Sequence, residues 1–155
     1  MTSLWRAGAV MLAGAVLALV SGRAATAQGT GIMAGVVDAR QAHEDYMLKC
    51  QGCHRPDGSG DDRTAPPMRD TVARFLGVPG GRAFLGRVPG VATTNLDDRR
   101  LTNLLNWTLY RFDPAHVPAG FAPYTPEEIG RLRADPIRLD RVETRARLVA
   151  AFPQR

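Results

Sequence analysis

The chain contains two cysteines, Cys50 and Cys53, and a histidine, His54, directly follows the second. A disulfide between the two cysteines would close a loop of only four residues, and so short a loop adds little stability. On a helix, side chains at positions i, i+3 and i+4 lie on one face. The spacing therefore predicts two thiols and one imidazole directed at a single ligand, with the fold built around that ligand.

Three kinds of site place a cysteine pair at this spacing. A structural zinc site requires four nitrogen or sulfur ligands, but the remaining histidines, His43 and His116, are not paired with the cysteines. A thioredoxin-like redox pair requires a βαβ unit, and no segment here alternates like a strand. C-x-x-C-H is the attachment sequence of a c-type haem. We therefore predict one covalent haem c, with thioethers at Cys50 and Cys53 and with His54 as the proximal axial ligand of the iron.

The N-terminal residues have the pattern of a secretory signal. A basic start, Met1–Arg6, precedes the uncharged run Ala7–Val20, and Ala25–Ala27 has a small residue at each end. The uncharged run is shorter than the ~20 residues that span a bilayer. We therefore predict a cleaved signal peptide over residues 1–27, a mature chain of residues 28–155 in the periplasm, and no membrane span in that mature chain.

The formal net charge of +5 does not indicate a nucleic-acid partner. Two of the positive charges, Arg6 and Arg23, belong to the predicted signal peptide, and the other arginines are scattered along the chain. Nucleic-acid binding would be expected to show a clustered basic patch. The length of the mature chain fits a single domain.

Hydrophobic periodicity predicts helices and no strands. Residues 36–54 contain an apolar stripe that ends at the cysteine motif, and residues 97–112 have the clearest 3.6-residue period. The residues Thr125–Glu128 form a capping box with proline at the first helical position, which predicts the start of a third long helix. A final helix is expected over residues 137–151. The predicted fold class is all-α.

Residues 46–60, with the sequence YMLKCQGCHRPDGSG, resemble the haem-attachment region of the class I monohaem c-type cytochromes. The resemblance implies a small helical domain wrapped round one haem, in an electron carrier rather than an enzyme. It also implies that the carbonyl oxygen of Pro66 or Pro67 accepts the ring N–H of the proximal histidine, a bond that orients the ring. Residues 136–155 lie outside the resemblance and are expected to form a C-terminal helical extension.

The distal ligand of the iron departs from the family pattern. In the family it is usually a methionine directly before a proline. Residues 117–129 resemble the loop that contains this methionine and the helix after it, but the residue before Pro118 is Val117. His116 is the neighbouring donor and is the favoured distal ligand. Met68, the only methionine after the cysteine motif, is the alternative, and an open sixth position on the iron is the third possibility.

These assignments favour an exported electron carrier. Its expected partners are redox proteins, such as a periplasmic dehydrogenase or a terminal oxidase. An open sixth position would instead favour a haem enzyme or a gas-binding sensor. A further possibility is a cytochrome subunit of a larger periplasmic dehydrogenase or oxidase, in which the C-terminal extension would provide a docking surface.

Overall fold

The computed structural model describes residues 32–61 and 65–153, so the predicted signal peptide lies outside the described residues. Within these two ranges the all-α fold is confirmed: helices are connected by loops, and no strand is present. The α-helices are α1 (Ala39–Lys49), α2 (Gln51–His54), α3 (Gly81–Arg87), α4 (Pro89–Ala92), α5 (Asp98–Phe112), α6 (Pro126–Arg133) and α7 (Arg141–Ala150), and two 3₁₀-helices span Val72–Gly77 and Pro114–His116. In the same ranges, no helix has the length and hydropathy needed to cross a membrane.

Helices α1 and α5 form the centre of the fold, and each begins at an aspartate. Asp38 accepts a hydrogen bond from the amide of Gln41 at 2.9 Å, and Asp97 accepts one from the amide of Arg100 at 2.8 Å. A carboxylate at the N-cap satisfies an amide that has no partner within the helix. Both helix starts are therefore encoded locally, by the aspartate that precedes each helix.

The interface between α1 and α5 is aromatic and contains one buried carboxylate. The ring centroid of Tyr46 on α1 lies 5.7 Å from that of Trp107 and 4.9 Å from that of Phe112 on α5. Asp45 is fully buried and forms an ion pair with the guanidinium of Arg100. Because an unpaired buried carboxylate is costly, this ion pair fixes the position of one helix relative to the other. The cysteine motif directly follows α1, so the same interface positions the motif.

The buried amide of Asn106 ties α5 to the segment before α6. Its Nδ2 donates to the carbonyl oxygens of Gly35 and Tyr124 at 3.2 and 3.1 Å, and its Oδ1 accepts from the Tyr124 amide at 3.0 Å. The predicted capping box then starts α6, since Thr125 Oγ1 accepts from the Glu128 amide at 3.3 Å. Helix α6 consequently packs against α5 and α3.

The C-terminal extension packs against α3 through a second apolar cluster. Its buried members are Phe75, Val78, Phe84, Ile137, Leu148 and Phe152. The amide of Ile137 also donates to the carbonyl of Arg87 at 2.9 Å. Burying a leucine or phenylalanine side chain contributes roughly 1.5–3 kcal/mol, so Leu148 and Phe152 hold α7 firmly on the domain. The final helix predicted over residues 137–151 is present as the shorter α7.

Candidate cofactor site

A cavity of about 490 Å³ lies beside the cysteine motif. Its wall is formed by the end of α1 with α2, by residues 65–68, by residues 88–94, by α5 and by one face of α7. Many of the side chains that line it are large and apolar, among them Val72, Phe75, Phe84, Leu85, Leu101, Leu104, Leu105 and Leu109. A volume and a lining of this kind are typical of a site for an organic cofactor.

Cys50, Cys53 and His54 all line this cavity. The amides of Cys53 and His54 donate to the carbonyl of Cys50 at 3.2 and 2.9 Å, so one helical turn contains all three residues. Cys50 is half-buried, Cys53 is exposed, and the two form no disulfide. The structure thus brings the two thiols and the imidazole to a common space, as their spacing predicts.

The Cys50 thiol does not have the environment of a redox or zinc-binding thiolate. Burial raises the pKa of Cys50 to about 11, and the Asp45 carboxylate and Cys53 add to this shift. Reactive and metal-binding cysteines instead have lowered pKa values. Within residues 32–61 and 65–153, no three His, Cys, Asp or Glu side chains are grouped closely enough to hold a metal ion. Among the described residues, the site thus lacks both the four grouped ligands of a structural zinc site and the activating surroundings of a redox pair.

The imidazole of His54 is partly buried, and one ring nitrogen has no partner. The Nδ1 atom makes no hydrogen bond with any described residue. Burial lowers the pKa of His54, and the Pro66 carbonyl and the Asp61 carboxylate oppose part of this shift. A neutral imidazole is the form that binds a metal. Of the two predicted acceptors, Pro66 and Pro67, both of which line the cavity, it is the Pro66 carbonyl that acts on the His54 ring.

The loop after α2 returns to the cavity at residues 65–68. The amide of Met68 donates to the carbonyl of Gly58 at 2.8 Å, which closes this loop beside the cysteine motif. Pro66 precedes Met68 by two residues, and its carbonyl acts on the His54 ring. Met68 therefore lines the cavity close in sequence to the carbonyl that acts on His54, and its assignment as the alternative distal ligand stays a prediction.

The turn at Gly58 depends on the absence of a side chain. Its φ is +72°, and a Cβ atom there would lie 2.5 Å from the ring of Phe112. The left-handed backbone costs an L-residue roughly 1–2 kcal/mol, and overpacking adds about 1–3 kcal/mol. We expect Gly58→Ala to lower the melting temperature of the protein clearly. The control is Gly77→Ala, where a Cβ meets nothing within 4 Å, and equal melting temperatures for the two variants would contradict the argument.

His116, the predicted distal ligand, does not line the cavity. It ends the 3₁₀-helix Pro114–His116, and its Nδ1 lies 2.5 Å from the Oδ1 atom of Asp113. Asp113 is fully buried, and its Oδ2 atom accepts a hydrogen bond from the amide of Ala73 at 2.9 Å. The structure therefore ties His116 to the end of α5, and its assignment as distal ligand stays a prediction from sequence that this arrangement does not favour.

A different Val-Pro pair lines the cavity. Val88 and Pro89 lie in its wall, whereas Val117 and Pro118 do not. The segment at residues 117–129, which resembles the ligand-bearing loop of the family, is thus not the one that the structure brings to the cavity. The pair in the wall precedes α5 instead of following it, and its valine has no atom that can bind iron.

Comparison with known proteins identifies the family. A cytochrome c-552 from one strain of Thermus thermophilus is 28% identical, and the match covers 66% of this chain and 82% of that relative. Another cytochrome c-552 from Thermus thermophilus is 31% identical, with 56% of this chain and 79% of the relative covered. The chain belongs to the c-type cytochromes. No protein-family model and no solved structure matches it.

The cofactor of a c-type cytochrome is covalently attached haem c, and the residues of this cavity fit it. One turn provides two thiols and an imidazole, and the wall provides apolar surface for a porphyrin. Two buried polar atoms of the wall, His54 Nδ1 and Thr94 Oγ1, have no hydrogen-bond partner among the described residues. Because such unpaired atoms are costly, both indicate a site that its occupant completes.

The sequence pattern does not predict that α7 forms part of the cytochrome's cofactor site. Four of its residues line the cavity: Arg141, Val142, Arg145 and Ala146. The signal present in the sequence is the i, i+4 spacing of Arg141 and Arg145, with no acidic residue three or four positions from either. Such a pair repels weakly within its own helix, so the spacing alone does not assign it a role.

Proposed function

We propose that this cytochrome is an electron carrier of the class I monohaem type. Cys50 and Cys53 bind one haem c through thioethers, and His54 is the proximal axial ligand. The observation that supports this most strongly is the single turn that presents both thiols and a partly buried imidazole to one apolar cavity. The two relatives named cytochrome c-552 agree with it. When bound, haem c supplies a one-electron couple at its iron.

The chain's own residues then set the conditions for electron exchange. The two thioethers keep the cofactor on a protein that leaves the cytoplasm. His54 would hold the iron through a ring nitrogen, and the Pro66 carbonyl, which acts on the same ring, would fix its orientation. Leu101 and Leu104 exclude water from the cavity, and the transfer requires no proton to move at these side chains.

In this proposal the protein acts in the periplasm. Residues 1–27 direct export and are removed, and the mature chain of residues 28–155 exchanges electrons with redox proteins, such as a periplasmic dehydrogenase or a terminal oxidase. Permanent membership of a larger dehydrogenase or oxidase is the alternative, and it predicts co-purification of the cytochrome with a second polypeptide at constant ratio.

The mass of the purified protein tests the central assignment. After extraction with acid and acetone, which removes non-covalent haem, we expect a mass equal to residues 28–155 plus one haem. Thioethers survive this treatment, so the haem should remain on the chain. A mass equal to the bare polypeptide would exclude covalent attachment, and a mass that includes residues 1–27 would exclude cleavage of the signal peptide.

The cavity wall favours a second candidate function. His116 does not line the cavity, and Met68 lines it at the end of the loop that follows α2. The hydroxyls of the lining tyrosines are also engaged, since Tyr46 donates to the Arg55 carbonyl at 2.5 Å and Tyr124 donates to the Arg82 carbonyl at 2.8 Å. If neither residue binds the iron, its sixth position would be open to an exchangeable small ligand. This function would be that of a gas-binding sensor or a haem enzyme.

A further inference from the structure

The charged side chains that line the cavity are all cationic. They are Lys49, Arg141 and Arg145, and among residues 32–61 and 65–153 no aspartate or glutamate lines the wall. Arg141 and Arg145 lie one turn apart on α7, and like charges at this spacing repel. The guanidinium of neither arginine has an ion pair or a hydrogen bond with any residue in the described ranges. The pair therefore faces a space that needs an anion.

Arg145 has the greater need of a partner because it is partly buried. Burial lowers the pKa of its guanidinium, the direction expected when a cation loses water without gaining an anion. The orphaned hydroxyl of Thr94, in the same wall, independently indicates that the occupant brings polar atoms as well as apolar ones. A carboxylate would satisfy a guanidinium through two parallel hydrogen bonds.

The arginine face of α7 lies at the open rim of the cavity. Val142 is 66% exposed although it lines the wall, and Arg141 and Ala146 are also exposed. Haem c has two propionate carboxylates on one edge of an otherwise apolar ring. These groups are most stable where the ring edge meets water, which is at a rim rather than beside the iron.

We propose that Arg145, assisted by Arg141, binds a propionate carboxylate of the haem, so that the C-terminal extension completes the cofactor site. The inference rests on the proposed function, because it requires a haem in this cavity. Leu148 and Phe152 hold α7 on the second apolar cluster, and this anchoring directs the guanidinium toward the rim. The extension is thus part of the haem site rather than a docking appendage.

The pH dependence of the reduction potential tests this inference. Ionisation of a propionate places negative charge near the iron and favours the oxidised form, so the potential falls as the pH rises through the propionate pKa. A nearby arginine keeps that pKa low by about one unit or more. In the holo-protein, we expect Arg145→Leu to shift the pH range in which the reduction potential falls upward by about one unit. The same variant should have a lower reduction potential at neutral pH. Arg145→Lys should retain most of the wild-type profile.

The matched control is Arg147→Leu, because Arg147 lies on the same helix, is exposed and does not line the cavity. The other titratable or charged side chains of the wall are His54, Tyr46, Tyr124, Lys49 and Arg141, and they are common to all variants, whereas the two cysteines would be thioethers in the holo-protein. A profile of Arg145→Leu identical to that of Arg147→Leu would overturn the proposal. An altered carbon monoxide affinity with an unaltered pH profile would place Arg145 beside the iron and would also overturn it. Failure of the proposed function would be distinguished from failure of this inference, because the mass of the wild-type protein would then show no covalent haem.

Discussion

Replacing Cys53 with serine is expected to reduce the yield of holo-protein and to lower the melting temperature of what forms by roughly 10–20 °C. Serine cannot form a thioether, so one covalent bond and the axial ligand alone would hold the haem. By analogy with the loss of a native disulfide, removing one covalent link costs about 2–5 kcal/mol. Haem absorbance per amount of polypeptide measures the yield, and circular dichroism on heating measures the melting temperature.

The size of this effect follows from the position of the cavity in the core. The coefficient of about 24 cal/mol per Å³ applies to enclosed voids; for a cavity of about 490 Å³ with an open rim it gives only an upper bound, on the order of 10 kcal/mol. The net stability of a domain is of the same order, so we expect the haem to contribute a large part of the stability of the holo-protein.

Arg99→Ser is the control for Cys53→Ser, because Arg99 is an exposed residue of α5 outside this cavity. It should change stability by no more than about 0.5 kcal/mol. Should Cys53→Ser accumulate and melt like Arg99→Ser, the second thioether would not stabilise the fold.

Features that are encoded within one helical turn could be predicted from the sequence. The geometry of the cysteine motif follows from helical spacing, and the starts of α5 and α6 follow from side-chain caps at Asp97 and Thr125. The helix predicted over residues 36–54 is instead two helices. The backbone leaves the helical region at Cys50, where φ is −125° and ψ is −37°, and apolar periodicity does not report such a local break.

The position of His116 could not be predicted because it depends on a contact between distant residues. The separation of His54 and His116 along the chain predicts that the loop after α5 crosses the cavity. One carboxylate oxygen of Asp113 instead accepts a hydrogen bond from the amide of Ala73, which lies forty residues earlier in the chain. The other oxygen contacts the ring of His116. A buried aspartate next to a proline has no distinguishing pattern in sequence, so its partners emerge only when the chain is folded.

The contribution of the C-terminal extension to the cavity wall could not be predicted from the sequence for a similar reason. Val88-Pro89 and Val117-Pro118 are identical dipeptides, and only the packing of α3 and α7 brings the first of them to the cavity. The arginines of α7 likewise have no local partner that would indicate a role. Their function depends on a helix position that the second apolar cluster sets, and this cluster joins residues far apart in sequence.

Neither His116→Ala nor Met68→Leu is expected to change the spin state of the iron, and the reduced wild-type protein should bind carbon monoxide as readily as both variants. His116 lies outside the cavity, so its removal should act on stability through Asp113 and cost about 1–3 kcal/mol. Met68→Leu nearly conserves volume and should cost less than about 1.5 kcal/mol. Absorption spectra of the oxidised and reduced proteins, with and without carbon monoxide, measure these effects.

The two variants also separate the three possible states of the sixth position. A low-spin wild type that becomes high-spin in His116→Ala would show that His116 reaches the iron after all, and the loop after α5 would then have to cross the cavity when haem is bound. The same change in Met68→Leu alone would assign the ligand to Met68 and would place it opposite His54. Low-spin spectra in all three proteins, with slow binding of carbon monoxide, would contradict an open position. High-spin spectra in all three, with fast binding, would instead support the second candidate function, a gas-binding sensor or a haem enzyme.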